Sequence, residues 1–227
     1  MTGTTYTDTG LTNGTVYYYV ATSVVASGAE SIYSNQVAVL PGTLPSPWLT
    51  QSIAVTGGGG NYASSSSTYS IEGTGTDVAG TSDQFQYIYQ TGGTGCSIVA
   101  KVTALQNTNA AAKVGVMIRE TLNANSRHVS AILFPASGGG ALLARSTTGG
   151  TATSTTVTGI AAPYWVKVTR SGSTFKAYRS SNGTTWTQMG ATQTVTMASS
   201  VYIGLIDCSH SAGVWSSGTI TNVTATP

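Results

Sequence analysis

The acids of this chain are seven: Asp8, Glu30, Glu72, Asp77, Asp83, Glu120 and Asp207. Two carboxyl groups can cleave an acetal, one as acid and one as base or nucleophile, when they face one groove about 5–9.5 Å apart. No two of these acids lie within five residues of each other on a strand, so a catalytic pair has to be assembled from separate strands. Glu120 with Asp207, and Asp83 with Glu72, are the combinations folding could bring together. The bland reading is that Asp77 and Asp83 serve turns while Glu120 and Asp207 pair with arginines.

The other reactive side chains are few. His210 ends a strand beside Asp207, a placement suited to binding or pH sensing; His128 reads as a satisfied core or rim histidine. Two histidines alone give no metal triad. A structural Ca²⁺ on loop carbonyls plus Asp77 or Asp83 stays open as a reading, with few carboxylates to support it. Cys96 and Cys208 belong to no Cys-x-x-Cys pair. Two readings of them stand together: separate buried thiols, or one disulfide across the fold, which needs Cα atoms about 4.4–6.8 Å apart. There is no Gly-x-Ser-x-Gly, no phosphate loop before a helix and no EF-hand, and nothing implies a cofactor. Gly57–Gly60 and Gly138–Gly140 read as flexible loops.

Aromatic rings offer a different chemistry, stacking on sugar rings. Phe85, Tyr87 and Tyr89 alternate on one strand face, as a row of core residues or as a platform; alternation with Gln84 and Gln86 favours core. Trp165, flanked by Val166 and Val168, reads as core. Trp215, in Ser209–Gly218, and Tyr62, in Gly57–Ser67, read as exposed rings on loops, where amphipathic rings grip ligands.

The elements that must position these residues are strands. Residues 163–189 give three β-forming runs separated by Ser-Gly-Ser and Ser-Asn-Gly turns, an antiparallel meander. The same grammar predicts strands at Asp83–Tyr89, Ser97–Leu105, Lys113–Glu120, Arg127–Phe134, Ala141–Arg145, Tyr164–Arg170, Thr174–Ser180, Thr185–Met189, Val201–Asp207 and Thr219–Ala225. No apolar 3.6-residue period exceeds two turns. If Glu120 faces Ser126, then Arg119 lies opposite Arg127 and Met117 opposite Val129, with His128 on the other face. Two arginines side by side call for an anion between them, from Asp207, Glu72 or a ligand, and Arg145 on the next strand joins that face.

Three prolines in Pro41–Pro47 cannot join a ladder and mark a linker. Residues 1–40 form a short piece with strands at Thr4–Leu11, Val16–Ala26 and Gln36–Leu40; residues 48–227 form one large all-β domain. A piece of 40 residues cannot bury two sandwich faces, so it docks on the large domain or pairs with another copy, giving a homodimer through residues 1–40. Only 7% of residues are charged, and the net charge is +2. That makes no basic field to recruit nucleic acid. No apolar run approaches the roughly 18 residues of a membrane span, and Met1–Thr5 shows no signal peptide. The hydroxyl-rich, charge-poor composition reads as extracellular.

Several stretches carry a family resemblance. They are Gly73–Val78, Ser82–Tyr87, Lys113–Glu120, Ser126–His128, Pro163–Arg170 and Gly204–His210. Together they resemble the concanavalin A-like lectin/glucanase modules of secreted bacterial enzymes that attack polysaccharides. Leu11–Val20 and Ser27–Val37 resemble the last three strands of a fibronectin type III module, with Leu11 and Tyr17 spaced for a tyrosine corner. Ser180–Trp186 resembles the Asp-box hairpin of sialidases, with Asn182 in place of its Asp and the Trp packed beneath the turn. The resemblance implies a two-sheet antiparallel jelly-roll-like (concanavalin A-like) sandwich behind a three-strand fibronectin III fragment. It implies a polysaccharide or oligosaccharide partner, held by rim residues drawn from Tyr62, Arg119, Arg127, Arg145, His210 and Trp215. Glucanases of this fold carry Glu-x-Asp-x-x-Glu on one strand, a pattern this chain lacks. A non-catalytic binding or spacer module is therefore expected first, a glycoside hydrolase second and a structural adhesion domain third.

Overall fold

The computed structural model describes residues 5–136 and 138–227. Among these residues there are strands, turns and irregular chain but no helix, so no helix is long and apolar enough to cross a membrane. One sheet has nine strands in the order β1 (Tyr17–Tyr19), β2 (Val37–Leu40), β4 (Gly58–Ala63), β5 (Thr68–Gly75), β18 (Ser211–Thr226), β9 (Ser97–Leu105), β14 (Tyr164–Ser171), β15 (Thr174–Ser180) and β16 (Thr187–Thr194). The other has seven, β13 (Thr153–Val157), β12 (Gly140–Arg145), β11 (His128–Leu133), β10 (Lys113–Arg119), β17 (Val201–Cys208), β8 (Phe85–Gly92) and β3 (Leu49–Ile53). A small hairpin, β6 (Val78–Ala79) and β7 (Ser82–Asp83), stands apart. Every pairing is antiparallel except β2 with β4. This is the all-β two-sheet sandwich expected.

Alternation builds the core. Val114, Val116 and Ile118 of β10 face Ile98, Ala100 and Val102 of β9 and Val166 and Val168 of β14 across the space between the sheets. The intervening residues of the seven-stranded sheet are buried too. Phe85, Tyr87, Tyr89, Met117, Ile132, Leu143 and Ile206 form a second cluster on its outer face, so the Phe85 row is core. The β6–β7 hairpin and two loops cover this face. They are stitched together by Asp83 N to Ala124 O (2.9 Å), Gly149 N to Asn125 O (2.8 Å) and Ala152 N to Gly80 O (2.8 Å). All seven residues of β10 are buried as a result.

The structure corrects several local expectations. The strand over Thr4–Leu11 begins outside the described residues, and residues 5–11 form none; Val16–Ala26 shrinks to Tyr17–Tyr19. Beyond it the hairpin loses its ladder because serine hydroxyls intervene: Ala21 N donates to Ser34 Oγ and Ser23 N to Ser31 Oγ, both at 2.9 Å. Tyr17 accepts a hydrogen bond from Thr12 N on its phenol oxygen at 3.0 Å, the tyrosine-corner geometry. β2 extends the nine-stranded sheet, burying Ala38 and Leu40, and Thr43 O accepts from Tyr62 N at 3.0 Å. Gly57–Gly60 is no flexible loop: Gly58–Gly60 open β4, and Gly57 before them, at φ +82°, has to be glycine because a Cβ there would lie 2.3 Å from Ala38 O. Trp165 is half-buried on the outer face of the nine-stranded sheet, since its neighbour Val166 points inward.

The β10–β11 register is one residue away from expectation. Arg119 pairs with His128 and Met117 with Ser130. The turn accommodates this through Thr121 N to Ser126 Oγ (2.9 Å) and Ser126 N to Asn123 O (3.0 Å). A one-residue slip exchanges faces, so His128 joins Arg119 and Arg145 on the outer side.

Candidate functional site

The long strand β18 carries a large bulge. Ser211 pairs with Gly75 and Ser216 with Gly73, so residues 212–215 all stand opposite Thr74. Such an arch re-aims side chains at a sheet edge, and here it throws the Trp215 ring across β5. Its Cη2 lies 2.6 Å from where a Cβ on Gly57 would sit, beside Val37. Gly57 is itself fixed: its carbonyl accepts from Ser52 Oγ, which lies 2.8 Å from Gln86 Oε1, and Gln86 Nε2 donates to Thr50 Oγ1 at 2.8 Å. The half-buried ring forms one wall of a cleft of about 240 Å³. Asn35, Gln36, Thr56, Thr74 and Gln84 supply amides and hydroxyls, and no ionisable side chain lines it. Trp215 thus belongs to a strand, not a free loop, yet remains accessible. Asn35, Gln36 and Gln84 were not singled out from the sequence, because the register that gathers them is set by the β2–β4 pairing.

The other proposed rim residues lie elsewhere. Tyr62 is on β4, half-buried, its ring 4.7 Å from that of Tyr69. Arg127 is ion-paired with Glu120 (3.6 Å) and donates to Thr196 O. His210 lies 3.5 Å from Asp77, which also binds Lys113 at 2.6 Å. None of the three lines the Trp215 cleft.

Arg119 and Arg145 cannot meet a glycan, because both are fully buried. The anion between them is Asp83, held by Arg145 at 2.8 and 2.6 Å and by Arg119 at 3.5 Å. Arg119 also donates to Thr121 O and Asn123 O. Burial raises the Asp83 carboxyl, and the two guanidiniums oppose that rise. His128 Nε2, 3.8 Å from Asp83, has no hydrogen-bond partner, and burial beside two guanidiniums pushes its pKa well down, so the ring is neutral.

The four candidate catalytic carboxylates do not assemble as expected. Asp207 flanks Val114 at the start of β10, whereas Glu120 follows its end, roughly 20 Å away at strand rise. Asp83 is held by arginines, and Glu120 accepts from Ala198 N at 2.9 Å. Only Glu72 and Asp207 interact. Burial pushes Glu72 up to about 7. Asp207 is raised well above the usual range, by burial first and by Glu72 second, although Ser216 donates to it at 2.7 Å. Asp207 is only 1% exposed, which bars a substrate from it.

The cysteines are both free and buried. They belong to clusters on opposite faces of the seven-stranded sheet, so the disulfide reading gives way to separate thiols. Burial pushes Cys208 up to about 12, leaving it unreactive at neutral pH. Neither Asp77 nor Asp83 is free for a cation, and among the described residues no group of three His, Cys, Asp or Glu could hold a metal.

No family model and no curated protein matches the chain. Solved structures do. A functionally unknown protein from Saccharomyces cerevisiae aligns with TM-score 0.60 at 14% identity, over 79% of this chain and 94% of that one. The carbohydrate-binding module CBM66 from Bacillus subtilis aligns with TM-score 0.52 at 17% identity, over 79% and 95%. A mutant of the GH43 protein BlXynB from Bacillus licheniformis aligns with TM-score 0.55 at 13% identity, over 88% of this chain but 44% of that one. The chain therefore spans less than half of the GH43 protein. These likenesses establish the fold class, an all-β sandwich of two largely antiparallel sheets.

Proposed function

We propose that the chain is a non-catalytic carbohydrate-binding or spacer module of a secreted polysaccharide-degrading enzyme, and that the Trp215 cleft is its sugar site. The observation that carries this is the fixed, half-buried Trp215 ring framed by amides and hydroxyls with no ionisable group in the cleft wall. Indole faces stack on sugar C–H surfaces, while Asn, Gln and Thr match hydroxyl donors and acceptors, so a neutral glycan suits this cleft. Likeness to a carbohydrate-binding module and to a GH43 protein supports the reading at the level of fold. In affinity electrophoresis of the full chain against neutral polysaccharides, at least one polymer should retard it, and Trp215→Ala should weaken that retardation about tenfold, roughly 1.4 kcal/mol. No retardation by any polymer would leave a structural adhesion or spacer role.

On the same reading, residues 1–40 are the C-terminal half of a fibronectin type III module, 41–47 a linker and 48–227 the sandwich. The Tyr17 corner supports this. β1 is a sheet edge, and Tyr6, Tyr18, Val24, Ile32 and Tyr33 are exposed nearby. Open edges invite pairing, so the full chain should form a homodimer through residues 1–40. Light scattering should give twice the monomer mass, and charge introduced by Tyr18→Lys should halve it; a monomer at every concentration would refute pairing.

A further inference from the structure

Nine bases are distributed unevenly over this fold. Lys113, Arg119, Arg127 and Arg145 each meet a carboxylate. Arg170 is buried and donates to the carbonyls of Gly93, Gly172, Met197 and Ala198. The remaining four, Lys101, Lys167, Lys176 and Arg179, form no ion pair among the described residues, and all lie on β9, β14 and β15. The five adjacent strands β18, β9, β14, β15 and β16 contain no acid.

Register places three of the four on one surface. Lys101 is opposite Trp165, Lys167 opposite Tyr178, and Thr169 opposite Lys176. The alternate residues Ala100, Val166, Val168 and Ala177 point into the core. Lys101, Lys167 and Lys176 therefore cross the outer face on a diagonal, with neighbouring Cα atoms about 7–8 Å apart. Arg179 pairs with Val166, on the inward side.

Aromatic rings fill the gaps. Asn182 Oδ1 accepts from Thr184 N and Thr185 N at 2.9 Å, fixing the turn that seats Gly183 over Trp165. The same turn delivers Trp186 to Lys167, whose ammonium lies 4.0 Å from that ring and 4.6 Å from Tyr178. The Asp-box-like hairpin thus holds a cation in position.

We infer that this outer face of β9, β14 and β15 is a second binding surface, for an anionic glycan, separate from the Trp215 cleft. Lysines spaced along a diagonal match acidic groups that recur along a polymer, and partly exposed Tyr178 and Trp186 offer surfaces for its sugar rings. The absence of any acid on five strands keeps the potential of one sign. The low total charge keeps the effect local, which favours a glycan lying on a flat face over nucleic acid, whose binding needs an extended basic field.

The test is affinity electrophoresis of the full chain at low salt in gels containing polygalacturonate, dextran sulfate or neutral dextran, with duplex DNA in a separate lane. Retardation by either anionic glycan, relieved by about 0.5 M NaCl through screening, is expected. Which of the two polymers acts assigns carboxylate or sulfate. Lys101→Gln with Lys176→Gln should weaken it about tenfold, roughly 1.4 kcal/mol. The Lys→Arg pair should retain it, and so should Trp215→Ala, which separates this surface from the cleft. No retardation at low salt, equal retardation of the Gln pair, or DNA binding as strong as glycan binding would overturn the inference.

Discussion

Replacing Asp83 by Asn lowers the stability of the protein by about 3–5 kcal/mol, the usual effect of removing one partner from a buried ion network. The substitution keeps the volume of the side chain but leaves Arg119 and Arg145, both fully buried, without their shared anion. Their carbonyl acceptors at Thr121, Asn123, Gly150 and Ser126 remain, and neutral acceptors do not balance two charges. The same loss loosens the cover of the seven-stranded sheet, because the Asp83 carboxylate ties the β6–β7 hairpin to Arg145 of β12 and Arg119 of β10. Urea unfolding measures the effect as a lower midpoint at unchanged slope. A second variant, Asp83→Leu with Arg119→Met and Arg145→Met, should recover much of the loss, since apolar packing can replace a buried ion cluster. A single-variant loss below about 1 kcal/mol, the range of exposed ion pairs, would contradict the network as described.

Glu72→Gln acts in the opposite direction and only above mildly acidic pH. The folded-state carboxyl titrates at about 7 against an ordinary value of 4.5. Between those values the folded chain binds more protons than the unfolded one, so this group's contribution to stability falls as pH rises from about 4.5 to about 7. Removing the charge should therefore leave stability unchanged near pH 4 and raise it by up to about 3 kcal/mol at pH 8. Asp207, raised by the same burial, acts in the same sense and remains in the variant. His128 works the other way: its depressed folded pKa costs stability as pH falls below the ordinary histidine range. The difference between wild type and variant, followed by thermal unfolding across pH, isolates Glu72. A difference that does not grow with pH would refute the buried carboxylate.

Much of the fold was legible because alternation and turn residues are local signals. Ser97–Leu105 and Thr174–Ser180 match β9 and β15 to the residue. What was not legible depends on distant partners. The run Gly57–Gly60 looks like a flexible loop until the approach of Ala38 O and Trp215 shows why glycine is required. The arginine lattice was half visible: Arg119 and Arg145 share a face as expected, but the anion was expected between Arg119 and Arg127, from Asp207, Glu72 or a ligand, whereas Arg127 pairs with Glu120 and Asp83 joins Arg119 to Arg145. Its anion comes from a hairpin that packs over the sheet from elsewhere in the chain, and the register was off by one residue because a loop's internal hydrogen bonds set it. Trp165 was misplaced by its apolar sequence neighbours, although alternation puts adjacent residues on opposite faces. The cleft around Trp215 depends on a bulge and on the parallel β2–β4 pairing, neither of which has a sequence signature here.

The most direct test is a crystal structure of the full chain soaked with oligosaccharides cut from whichever neutral polysaccharide retards it. A sugar ring lying over Trp215, with hydroxyls reaching Gln84 and Asn35 or Gln36, is the result expected. A sugar bound on the outer face of the seven-stranded sheet, or anywhere that leaves the Trp215 ring uncovered, would contradict it.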